Sequence, residues 1–68
     1  MNNMLTQERR RQILELLHEK GSVSVNDLAE YFDSSESTIR RDLTALSELG
    51  KLNKVHGGAT ALPQEFLK

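Results

Sequence analysis

The sequence predicts a mainly α-helical domain closed by a small antiparallel β ribbon, and three observations lead there. Ile39, Leu43 and Leu46 stand four and three apart between Ser35 and Gly50, the spacing of one helical stripe. A second apolar group, Leu28, Ala29 and Phe32, ends just before Asp33-Ser34, so only a tight turn separates it from Ser35. After Gly50, two short β-compatible runs, Lys51 to His56 and Ala59 to Leu62, flank Gly57-Gly58. Two helices across a short turn followed by a hairpin make a winged helix-turn-helix, with three helices and a two- to three-stranded sheet.

The first helix is expected to start at Thr6 as N-cap, with Glu8 in its first turn favourable to the helix dipole. Its apolar residues are Ile13, Leu14, Leu16 and Leu17, and Lys20-Gly21 close it with a basic last turn and a permissive residue. Ser22-Val23-Ser24 is too short for a free strand and reads as one rung of a small sheet, Val23 inward. The second helix runs from about Val25 to Phe32. Ser24 caps it, and Asp27 three residues on gives a partial capping box.

The third helix takes Ser35 as N-cap and ends at Gly50, where a left-handed residue is wanted. In the hairpin both Gly57 and Gly58 are expected at positive φ. Leu52 and Val55 are three apart and would face opposite sides of a regular strand, so a twist or bulge is expected near Lys54. Pro63 should end the hairpin. The domain then spans 1–62, and 63–68 is a tail or the start of a linker.

Composition narrows the function. The chain has 68 residues, one small domain, and no cysteine, so neither a disulfide framework nor a thiolate metal site is available. No apolar run has membrane-spanning length and no signal-peptide pattern opens the chain, so no membrane partner and a cytoplasmic location are expected. His18 and His56 are the only histidines. No nucleophile–base–acid order or metal-ligand spacing links them. Gly57-Gly58 lacks the GxxxxGK pattern of a phosphate loop. No enzyme activity and no cofactor are expected.

A net charge of −1 argues at first against a nucleic-acid partner, but the charge is unevenly spread. Glu15 to Glu36 holds six acids and one base, whereas Ser37 to Thr60 holds four bases and two acids. Arg9-Arg10-Arg11 adds a basic run near the start. Such a chain can present one basic face and keep an acidic back.

With Ile39 as zero and about 100° per residue, Ser37, Arg40, Arg41 and Thr44 fall opposite the apolar stripe. Adjacent arginines on a helix are by themselves ordinary solvated charge. Here they sit in the second helix of a helix-turn-helix, whose first turns enter the major groove of double-stranded DNA. The hydroxyls of Ser35, Ser37 and Thr38 suit phosphate at a helix start, and Arg40 or Arg41 suits the O6/N7 edge of guanine. Lys54 and His56 on the wing, with Lys51 at its base, suit the backbone or minor groove. Asp42 falls near the core edge, either orienting an arginine such as Arg9 or merely solvated. The Arg9–Arg11 run is either a further contact or a solvated helix start. The competing reading is a winged helix used only for protein–protein contact, but such a module exposes an apolar patch rather than a basic, hydroxyl-rich face.

Several strings converge: Arg9, Ile13 and Leu17 four apart, Ser35-Glu-Ser-Thr-Ile-Arg-Arg-Asp-Leu43, and Lys54-Val-His-Gly-Gly-Ala59. Together they resemble the N-terminal DNA-binding domain of the DeoR family of bacterial transcriptional repressors, over about Arg9 to Thr60. There are two departures. Ser34 stands where the family usually has an apolar residue, often valine, and Lys54 where it commonly has arginine, the better bidentate group. The resemblance implies an operator near sugar-metabolism genes and a larger C-terminal domain that binds a phosphorylated sugar and drives oligomerisation. That domain is absent from these residues, so this part by itself is expected to be monomeric.

Overall fold

The structure, a computed structural model, describes residues 5–62. Three helices come in order: α1 (Thr6–Lys20), α2 (Val25–Phe32) and α3 (Glu36–Glu48). Three short strands, β1 (Ser22–Ser24), β2 (Asn53–Val55) and β3 (Gly58–Thr60), form an antiparallel sheet in the order β1-β3-β2. The fold is the winged helix-turn-helix that the sequence predicts, with Ser22-Val23-Ser24 as the outer rung.

Helix α1 begins differently from expectation. The Arg9 N–H reaches the Leu5 carbonyl at 2.9 Å, so Leu5 is the N-cap residue, without a capping side chain, and Thr6 lies inside the helix. At the other end Gly21 takes φ 84°, and its N–H bonds the Leu17 carbonyl at 2.7 Å. The other two helices start as expected. Ser24 Oγ accepts from the Asp27 N–H at 3.0 Å, and Ser35 Oγ accepts from the Thr38 N–H at 3.1 Å. Helix α3 ends in a paired-carbonyl cap: the Gly50 N–H reaches Ser47 and the Lys51 N–H reaches Leu46, both at 3.0 Å, with Gly50 at φ 75°.

The core joins Ile13 and Leu17 of α1, Val25, Leu28 and Phe32 of α2, Ile39, Leu43 and Leu46 of α3, and Leu52 and Ala59 of the wing. The α3 stripe is buried as its periodicity predicts. In α2, Val25 joins Leu28 and Phe32 in the core while Ala29 is only partly buried, and in α1, Leu14 and Leu16 are only partly buried beside Ile13 and Leu17, as is Val23. Between α2 and α3, Asp33 adopts φ 53°, a left-handed geometry that aspartate tolerates better than most residues. Ser34 is half-buried there. Its N–H bonds the Ala29 carbonyl at 3.0 Å and its hydroxyl donates to the Phe32 carbonyl at 3.2 Å. The turn thus meets its polar needs with a serine in place of the usual apolar residue.

Two wing expectations need correction. The pairing Asn53 to Thr60, Lys54 to Ala59, Val55 to Gly58 is regular, with no bulge at Lys54. Leu52 is buried just ahead of the strand, so it escapes strand alternation and leaves Val55 free to sit outside. The two-residue loop is His56-Gly57, and only Gly57 has positive φ, at 79°. Gly58 belongs to β3 and is needed for a different reason: a Cβ there would stand 2.1 Å from the Val23 carbonyl oxygen. Strand β3 ends at Thr60, short of Leu62, and the expectation that Pro63 ends the hairpin lies outside the described residues.

Backbone bonds fix the wing to the helices. The Val25 N–H at the start of α2 donates to the Gly57 carbonyl at 2.8 Å, satisfying a helix N–H that has no partner within α2. The Ala61 N–H donates to the Gly21 carbonyl at 3.0 Å.

Candidate nucleic-acid interface

Helix α3 buries Ile39, Leu43 and Leu46, which turns Ser37, Arg40, Arg41 and Thr44 outward, all exposed. Ser35 and Thr38 stand at its start and are tied to each other. Besides the cap, the Ser35 hydroxyl donates to Thr38 Oγ1 at 3.0 Å. Lys51, Lys54 and His56 are exposed on the wing side.

The tertiary structure sorts these residues further. Arg40, Lys54 and His56 line one cleft of about 510 Å³ between α3 and the wing, with Val25, Leu43 and Gly58 among its other walls. Arg41, Thr44 and Lys51 do not line it. Arg40 donates to Glu36 Oε1 at 3.0 Å in an exposed i,i+4 pair. The Arg41 side chain has no hydrogen bond or ion pair among the described residues.

Asp42 is the one buried charged residue among those described, 1% exposed. Its two oxygens accept from Arg9, through Nε and, at 3.0 Å, through Nη2. Its Oδ1 also accepts from Arg10 Nε at 2.9 Å. The hydrogen bond to Asp42 raises the Arg9 guanidinium above its ordinary value. Asp42 is therefore the orienting partner and not a solvated carboxylate, and it holds two arginines where the sequence pointed to one.

The Arg9–Arg11 run is engaged within the protein. Arg9 and Arg10 are committed to Asp42, while Arg11 is clasped by Glu8 and Glu15. Hydrogen bonding from Arg11, and then from Gln12, lowers the Glu8 carboxyl to about 2. The basic groups without an acid partner among the described residues and on this side of the molecule are then Arg41, Lys51 and Lys54. Glu36 was not among the candidate residues from the sequence, although its i,i+4 spacing to Arg40 was legible. The second hold on Asp42, by Arg10, had no sequence signal.

The described residues bring no three His, Cys, Asp or Glu together as a metal site, and no helix among them is long and apolar enough to cross a membrane.

The DeoR-like helix-turn-helix domain family matches residues 9–65. Among curated proteins, the chain is 47% identical over 58 residues to the HTH-type transcriptional regulator GolR of Listeria innocua, covering 85% of this chain and 23% of that one. It is 47% identical over 55 residues to a putative galactitol utilization operon repressor of Escherichia coli, covering 81% of this chain and 49% of that one. The lactose phosphotransferase system repressor of Streptococcus mutans is 41% identical over 56 residues, covering 82% and 22%. The chain thus spans from about a quarter to a half of the length of these relatives. No solved structure matches it significantly.

Proposed function

The chain belongs to the DeoR-like helix-turn-helix family of DNA-binding transcription regulators, and from that premise we propose that it binds double-stranded DNA sequence-specifically as the recognition domain of a repressor of sugar or carbohydrate metabolism genes. Helix α3 lies in the major groove, and the wing lies on the adjoining backbone or minor groove. Ser35, Ser37, Thr38, Arg40, Arg41 and Thr44 meet the DNA from α3, and Lys51, Lys54 and His56 from the wing side. The observation that carries this reading is the α3–wing cleft, where cationic and donor groups from two separate elements converge. Beside it stands an arginine with no internal anion. The names of the galactitol and lactose relatives support the sugar-related role.

In this reading the DNA-binding domain ends near residue 62 and 63–68 lead into a C-terminal domain; the part shared with this chain is only 23% and 22% of two of the relatives, which leaves room for such a domain in proteins of this kind. That domain binds a phosphorylated sugar and holds two or more copies at a fixed half-site spacing, while residues 1–68 alone are monomeric. A single domain then binds generic duplex weakly, at about 10⁻⁴–10⁻⁶ M at physiological salt.

The test is a titration of the isotope-labelled chain with generic duplex at low salt. Amide resonances of residues 35–44 and 53–58 are expected to move together. If they stay in place while another surface responds, or if nothing responds, DNA binding by this face is refuted.

A further inference from the structure

The two neighbouring arginines of α3 face different surroundings, and from this we propose that they have different jobs. Arg40, with Lys54 and His56, seats one phosphodiester strand in the α3–wing cleft. Arg41 reads a base edge. Glu36 holds the Arg40 guanidinium until a phosphate displaces it. The assignment rests on the DNA-binding reading above and adds to it which residue recognises what.

Successive helix residues are about 100° apart, so Arg40 and Arg41 cannot both point the same way. Arg40 turns toward the wing and lines the cleft with Lys54 and His56. Arg41 points away from the core with Ser37 and Thr44 and takes no part in the cleft. In duplex DNA the major and minor grooves are separated by a phosphate strand. A protein with a helix in one groove and a hairpin beside the other must straddle that strand. The cleft between α3 and the wing is therefore where the strand passes. Its walls include Val25, Leu43 and the bare backbone of Gly58, apolar or small groups that let an anion approach the three polar side chains. Base edges lie at the floor of the major groove and are reached by side chains projecting furthest from the core. Arg41 meets that requirement, and its guanidinium fork fits the O6/N7 edge of guanine.

Glu36 completes the division. Its carboxylate sits 3.0 Å from Arg40 Nη2, and the two side chains are 47% and 58% exposed. An exposed pair of this kind exchanges readily. The carboxylate is a resident anion on Arg40, and a phosphate must replace it. Arg41 has no such anion among the described residues. Glu36 thereby weakens contact with DNA of any sequence and leaves base reading intact.

The test uses the chain with three substitutions, a fixed duplex of arbitrary sequence, and a pool of duplexes randomised at their centre. Arg40→Ala is expected to lower the slope of log affinity against log salt by about 0.9 on the fixed duplex, while the sequence enriched from the pool stays the same. Arg41→Ala is expected to erase preference at one base-pair position, about tenfold, with a smaller effect on the fixed duplex. Glu36→Gln is expected to raise affinity for the fixed duplex several-fold and to leave the enriched sequence unchanged. All three side chains are exposed, so the variants should fold as the parent does. The inference is overturned if Arg40→Ala changes the enriched sequence, if it leaves the salt slope intact, if Arg41→Ala weakens all duplexes equally, or if Glu36→Gln does not tighten binding. It is overturned too if the unsubstituted chain binds the pool and enriches nothing. If the unsubstituted chain binds no duplex even at low salt, the DNA-binding reading itself falls.

Discussion

Asp42 on α3 and Arg9 on α1 are 33 residues apart in sequence and meet through two parallel hydrogen bonds, with the carboxylate sealed from solvent. The same carboxylate takes Arg10 as well. A buried acid so placed fixes the rotation of α3 about its own axis, which in turn fixes where Ser37, Arg40, Arg41 and Thr44 point. Removing one member strands the others in a poorly solvated place, which costs about 3–5 kcal/mol. In a domain this small that is most of the available stability. Asp42→Ala should therefore be largely unfolded at room temperature by urea titration. The triple change Arg9→Met, Arg10→Met and Asp42→Leu should recover much of the loss, because apolar side chains of similar volume need no charge partner. Equal stability of Asp42→Ala and the parent would remove the clamp from the account.

Gly58 should be the least replaceable glycine. An added Cβ meets the Val23 backbone oxygen at 2.1 Å, and backbone cannot swing aside as a side chain can. Gly58→Ala is expected to separate β1 from β3 and to cost about 3 kcal/mol, seen as a lower melting temperature. Gly57→Ala has open space around the new methyl and suffers only the left-handed strain, about 1–2 kcal/mol. The order of the two variants in a melting experiment checks the explanation.

Ser34 poses the opposite question. Its hydroxyl bond to the Phe32 carbonyl is worth about 0.5–1.5 kcal/mol. Burial of a valine is worth about 1.5–3 kcal/mol when complete, and this site is only half-buried. The two nearly cancel, so Ser34→Val should lie within about 1 kcal/mol of the parent, on the stabilising side. The backbone bond from Ser34 to Ala29 survives the change. A loss above about 2 kcal/mol would mean that the hydroxyl matters more than its geometry suggests.

The Glu8 carboxyl, lowered to about 2 by Arg11, gives a pH prediction whose sign follows from its direction. A carboxyl with a depressed folded value adds stability above its ordinary value of 4.5 and loses it as pH falls toward 2. Glu8 is at the surface, so solvent and salt screen the effect. Glu8→Gln should lower stability at pH 7 by about as much as it flattens the decline between pH 4.5 and 2, so that the two curves converge near pH 2. Half-molar sodium chloride should shrink the difference. A variant whose acid limb overlays that of the parent would contradict the assignment.

Much of the fold was legible because it depends on neighbours in sequence. The Ser24 and Ser35 caps, the stops at Gly21 and Gly50, and the stripes on all three helices involve residues at most five apart. The exposed side of α3 followed from the same periodicity, since burying Ile39, Leu43 and Leu46 leaves the arginines outside. The start of α1 was misjudged because Thr6 has good capping chemistry, yet Leu5 already offers its carbonyl to Arg9 and the helix begins one residue earlier. The expected bulge rested on treating Leu52 as part of the strand, when it lies before it.

By itself the sequence determined which segments are helix, which face of each is buried, and that a basic, hydroxyl-bearing helix is followed by a hairpin. The tertiary structure alone decided that Arg10 joins Arg9 on Asp42, that Gly58 lies against the Val23 carbonyl, and that Arg40 but not Arg41 shares a cleft with Lys54 and His56. The physical reason is range. Caps and stripes are set by bonds and spacings within about a turn of helix, whereas these approaches join residues up to 35 positions apart and exist only once the shared core has brought their helices and strands together.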